Sequence, residues 1–139
     1  MSTINLAANI VVAGGPALSF KREIAAEAYE LLDFIVPANT TDLKVELQPG
    51  SGMLLLAITA GWYGPKLSFR ATQEDETTRF VLDEPLLLAG GAIAAFGSEQ
   101  PKVLYFSNQT ADAAAKDAKV TVLVARDATP PPPAPPTPP

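Results

Sequence analysis

The residues best suited to acid–base chemistry in this 139-residue chain are two carboxylate clusters, Asp83-Glu84 and Glu74-Asp75-Glu76. A pair of carboxylates can split a glycosidic bond when one serves as acid and the other as base or nucleophile. Both clusters fall among turn residues, where charge is ordinary, so solvated turns account for them more plainly. The second also offers the oxygen ligands that Ca²⁺ takes from loops, but lacks the alternating acidic residues around a central Gly that a calcium loop uses. The chain has no His and no Cys. That removes the commonest general base, the commonest metal ligand and the best nucleophile. Disulfides and zinc–thiolate sites go with them. A Ser-Lys arrangement is left, with no local motif behind it. The sequence therefore predicts a protein that is not an enzyme and carries no metal or cofactor.

Binding chemistry has three candidate carriers. Gly61-Trp62-Tyr63-Gly64-Pro65 holds the only Trp, placed beside Tyr63 in a loop. Aromatic loop tips give large contact area with few rotamers to freeze, which suits a carbohydrate or a protein partner. The competing account is that Trp62 folds back and caps the end of the domain. Residues 86–97, LLLAGGAIAAFG, are apolar on every side. Leu86, Leu87, Leu88, Ile93 and Phe96 are either core, with Gly90-Gly91 allowing a bulge or close backbone approach, or a contact between subunits. Residues 129–139 read TPPPPAPPTPP. Proline fixes φ and donates no hydrogen bond, so this tail forms a polyproline II rod about 30 Å long at roughly 3.1 Å per residue. It is a stiff terminus, or a docking peptide whose Pro130, Pro131, Pro132, Pro133, Pro135, Pro136, Pro138 and Pro139 lie in an aromatic groove of a partner.

The elements that must position these groups read mostly as short strands. Asp42-Leu43-Lys44-Val45-Glu46-Leu47-Gln48 alternates strictly, which puts Leu43, Val45 and Leu47 on one buried face. Pro49-Gly50-Ser51-Gly52 is a turn, and the apolar run over residues 53–60 reads as a strand covered on both faces. Residues 67–71, 79–82, 102–106 and 119–125 continue the series; Val120, Val122 and Val124 point one way, Thr121, Leu123 and Ala125 the other. Residues 21–36 fit two readings. Ile24, Ala28, Leu31, Leu32 and Ile35 recur at helical spacing, and Ala, Glu and Leu favour a helix. Two strands, 18–24 and 28–36, fit the rhythm of the neighbours better. Residues 111–118 form a short helical turn or an Ala-rich loop. The Asn39-Thr40-Thr41 and Asn108-Gln109-Thr110 sequons read as ordinary turn asparagines.

Seven to nine strands at spacings of about ten residues, with no long helical pattern between them, predict an all-β antiparallel sandwich or jelly roll. The expected layout is an N-terminal arm (1–17), a sandwich (18–128) and the proline-rich tail (129–139). Hydrophobic residues make up 47% and charged residues only 18%, below the roughly 25% usual for soluble proteins. So lightly charged a surface suits a chain covered in part by neighbours. The net charge is −5, and of ten basic residues only Lys21-Arg22 are adjacent, so no phosphate-binding face and no nucleic-acid partner are expected. The first basic residue is Lys21, so no signal peptide is expected. The longest apolar run is too short and broken to insert in a bilayer.

The overall make-up resembles that of the small head-decoration proteins of tailed phages. The resemblance is architectural, spans roughly residues 18 to 126, rests on no motif and carries over no functional residue. It implies a structural subunit of a virion or similar particle, packed against further copies of itself or other shell proteins as a homo-oligomer. Outside such a particle the expected location is the cytoplasm. The alternative is a carbohydrate- or protein-binding module working through Trp62 and Tyr63.

Overall fold

The computed structural model describes residues 2–47, 52–71, 79–90, 92–93 and 103–127. Ten strands carry the fold: β1 (Ser2–Val11), β2 (Ala17–Ala26), β3 (Ala28–Val36), β4 (Thr40–Glu46), β5 (Met53–Ala60), β6 (Leu67–Arg70), β7 (Phe80–Val81), β8 (Leu86–Ala89), β9 (Val103–Asn108) and β10 (Ala118–Arg126). From β3 onward they are nested. β3 pairs with β10, β4 with β9, β5 with β8 and β6 with β7, all antiparallel. This stretch is one long hairpin, turned at β6–β7, whose successive pairs fall alternately in two sheets. Pairings of β10 with β5 and of β9 with β6 complete the sheet orders β3-β10-β5-β8 and β4-β9-β6-β7. The result is an all-β antiparallel sandwich with jelly-roll connectivity.

Period-two patterning decides what lies between the sheets. Val120, Val122 and Val124 of β10 meet Leu56 and Ile58 of β5, and across the interior Leu104 and Phe106 of β9 meet Leu67 and Phe69 of β6. Phe106 sits at the centre, edge-on to Phe34 at 5.2 Å and tilted against Phe69 at 5.5 Å. Each such side chain contributes about 1.5–3 kcal/mol by leaving water.

Residues 21–36 are strands, not a helix. Nine consecutive residues of β3 pair with β10, from Ala28↔Arg126 to Val36↔Ala118. That ladder outweighs the helix propensity of Ala, Glu and Leu, a tertiary effect stronger than a local preference. Residues 111–118 hold a single 3-10 turn, Asp112–Ala114.

The sandwich was expected to begin near residue 18. Instead Ser2–Val11 is itself a strand, paired along its whole length with β2 from Ser2↔Ala26 to Val11↔Ala17. The element outside the two sheets is therefore a two-stranded ribbon that ends only at Ala26. Its turn is closed by the Gly15 N–H donating to the Val12 carbonyl (2.8 Å) and the Val12 N–H to the Pro16 carbonyl (3.0 Å). Gly14 stands there at φ +72°, a conformation open to Gly and costly for a residue with a Cβ.

Candidate functional site

Cross-strand register sorts the ribbon into two unlike faces. The pairs Ile4↔Ile24, Leu6↔Arg22, Ala8↔Phe20 and Ile10↔Leu18 share one side. The pairs Thr3↔Ala25, Asn5↔Glu23, Ala7↔Lys21 and Asn9↔Ser19 share the other, where Ser19 Oγ donates to Asn9 Oδ1 at 2.9 Å. The first side is apolar except for Arg22. Among the described residues only its base is seated: Ile4 and Ile24 pack against a buried cluster of Ala26, Leu55 and Ala125, which Ala89 and Leu123 of the sandwich also join. Beyond that point Leu6 and Ala8 are half-buried, and the outermost apolar residues stand in solvent, with Ile10 55%, Leu18 59% and Phe20 45% exposed. From Ile24 to Leu18 this runs about 20 Å at the rise of a strand. An isolated two-stranded ribbon is at best marginally stable in water.

The surface on which the ribbon rests is the outer face of the β3-β10-β5-β8 sheet. Register aligns its side chains in rows across four strands. The row Tyr29–Ala125–Leu55–Ala89 and the row Leu31–Leu123–Ala57–Leu87 contain no charged residue. The ribbon base covers the inner part of the first row. The second row is open at both ends, Leu31 being 61% and Leu87 44% exposed. Next comes a polar row, Asp33–Thr121–Thr59, where Thr121 Oγ1 donates to Asp33 Oδ1 at 3.2 Å and Lys119 lies 3.9 Å from Oδ2. The run 53–60, expected to be covered on both faces, is so covered only near Leu55. Thr59, at the other end of that face, is exposed.

The outer face of the other sheet is built differently. Arg70 of β6 forms a fork onto Asp42 of β4, Nε to Oδ1 at 3.0 Å and Nη2 to Oδ2 at 2.6 Å, with the Arg70 side chain only 4% exposed. The Asp42 N–H donates to Ser107 Oγ (3.0 Å), and Arg79 Nη1 donates to both Ser107 Oγ (2.9 Å) and Ser68 Oγ (3.1 Å). Asp42 sits at φ +56°, within the register shift between Thr40 and Leu43. Asp tolerates that conformation better than most residues.

Trp62 and Tyr63 both turn back onto the domain. Trp62 Nε1 donates to the Asp117 carbonyl at 2.9 Å, and the Lys116 ammonium lies 4.3 Å from the indole centroid. Tyr63 Oη accepts the Ala60 N–H at 3.0 Å, and both rings pack against the core. Residues 86–97 divide. Leu86 and Leu88 face the core, Ile93 is buried in it, and Leu87 lies on the apolar outer face. Phe96, the Glu74-Asp75-Glu76 turn and the proline tail lie outside the described residues. Asp83 and Glu84 form an exposed bend. Asn108 is fully buried, its Nδ2 donating to the carbonyls of Val36 (3.0 Å) and Lys116 (2.7 Å). Among the described residues no three of His, Cys, Asp and Glu converge where they could hold a metal ion.

β1 is the element that sequence reasoning missed as structure; its partner β2 was read as a strand over 18–24. The signal for β1 was present: Ile4, Leu6, Ala8 and Ile10 alternate with Thr3, Asn5, Ala7 and Asn9 before Gly14-Gly15-Pro16 and a second alternating run. Ala7-Ala8 blurs the polar–apolar contrast, and Asn is depleted in strands.

Fold and surface together define a class: a jelly-roll sandwich bearing an amphipathic N-terminal ribbon. Compared with known proteins, the chain matches no family model, no curated protein and no solved structure.

Proposed function

We propose that this chain is a non-enzymatic structural subunit of a larger assembly, of the kind that builds or decorates a virion shell. The observation that carries the reading is the ribbon: some 20 Å of one-sided apolar strand pair held, among the described residues, to its own domain only at the base. A jelly roll by itself does not choose a function, since capsid proteins, lectins and cupins all use it. A monomer, however, gains nothing from Ile10, Leu18 and Phe20 in water, and contiguous apolar patches on soluble proteins mark sites of contact. The low content of charged residues, 18%, fits a surface covered in part by neighbours. No observation favours the Trp62 loop as a binding tip, because its polar groups already serve the domain.

Sedimentation velocity of the full chain across a hundredfold range of concentration tests the proposal. The expected result is reversible association, with the sedimentation coefficient rising with concentration. A chain that stays monomeric at the highest concentration overturns it.

A further inference from the structure

Resting on the assembly reading, we infer that the occupant of the exposed ribbon is a second copy of this chain, and that the distal ribbon of one copy lies on the outer face of the β3-β10-β5-β8 sheet of the other. The contact already made within one chain is the template. There the ribbon's apolar side sits on the row Tyr29–Ala125–Leu55–Ala89 through Ile4 and Ile24. Both partners of that contact then continue past it to exposed apolar residues. The ribbon continues as Phe20, Leu18 and Ile10, and the sheet continues as the row Leu31–Leu123–Ala57–Leu87. A second copy thus extends a packing mode that the fold already uses.

Charge selects the same arrangement. Arg22 is the one charged residue on the apolar side of the ribbon, and it pairs with no carboxylate among the described residues. Asp33 is the acidic residue beside the open sheet row, 53% exposed, with a loose contact to Lys119 at 3.9 Å. Phe20 and Arg22 are same-side neighbours on β2, and Leu31 and Asp33 are same-side neighbours on β3. Both steps are about 6.7 Å, two residues of extended chain. Seating Phe20 of one copy on Leu31 of the other, with β2 and β3 running in the same direction, brings Arg22 to Asp33. Ribbon packed on ribbon places Arg22 against apolar residues or another Arg22.

The natural chain has no cysteine, which makes a site-specific test clean. Phe20→Cys and Leu31→Cys variants, both at exposed positions, are prepared separately, mixed, and treated with a short bis-maleimide. The expected product is a covalent dimer formed from the mixture and absent from either variant alone. A cross-link within the Phe20→Cys sample alone means ribbon-on-ribbon packing and overturns the inference. A cross-link within Leu31→Cys alone means sheet-on-sheet packing and does the same. No cross-link from a chain that still self-associates by sedimentation defeats the inference while sparing the assembly reading; a strictly monomeric chain defeats the assembly reading itself. Charge exchange gives a second readout. Arg22→Asp and Asp33→Arg should each weaken association about tenfold, and the double variant should recover most of that loss. Failure of the double variant to recover counts against the Arg22–Asp33 contact.

Discussion

The two outer faces of this sandwich are made from strands of one hairpin, yet they spend their residues differently. On the β4-β9-β6-β7 side, Asp42, Arg70, Arg79, Ser68 and Ser107 form a hydrogen-bonded polar network. Ser68, Arg70 and Ser107 are buried there, so this part of the face is covered within a single chain. On the β3-β10-β5-β8 side, two rows of apolar residues run across all four strands; the ribbon base covers the inner part of one, and the ends of the other, Leu31 and Leu87, stay exposed. That face is left incomplete. A sandwich needs one buried side per sheet; a second apolar side on the same sheet points to a contact beyond the chain.

The contrast makes opposite predictions for substitutions on the two faces. The largest effect on folding belongs to the polar side. Asp42→Asn keeps the shape and the tolerance of positive φ but removes the Asp42 charge from beside the buried Arg70 guanidinium. Stability in urea titration should fall by about 3 kcal/mol, with self-association of the folded fraction unchanged. An association defect at unchanged stability would mean that the polar face takes part in contacts after all. The apolar side should behave in reverse. Leu31→Lys, at a position 61% exposed, should leave the unfolding free energy within about 0.5 kcal/mol of the natural chain, yet remove most self-association in sedimentation. A large loss of stability instead would show that Leu31 serves its own fold.

How legible this division was in the sequence depended on what each pattern encodes. The strict alternation over residues 42–48 named the inward residues of β4, because one wet and one dry side leave a period-two trace; for β10 it separated Val120, Val122 and Val124 from the other side without saying which faces inward. Strands apolar on both sides leave none. The run Leu54-Leu55-Leu56-Ala57-Ile58 reads alike whether its second side is capped by the same chain, by another, or by nothing. Only the register of β10 and β8 beside it showed which residues share the open face. Asp42 and Arg70 were read simply as members of two strands, since 28 positions separate them and only the β4-β9-β6 order brings them together. Trp62 had a definite alternative role, and its partner Asp117 lies 55 residues away, beyond any local pattern.

The most direct test of this asymmetry is amide hydrogen exchange measured at low and high protein concentration. Exchange reports local opening, and a ribbon held only at its base should open readily in a dilute sample. The account predicts that raising the concentration slows exchange in the distal halves of β1 and β2 and along β3. Amides of β4, β6 and β9 should keep the same rates throughout. Ribbon amides that exchange equally fast at every concentration, or protection gained on the β4-β9-β6-β7 side instead, would contradict it.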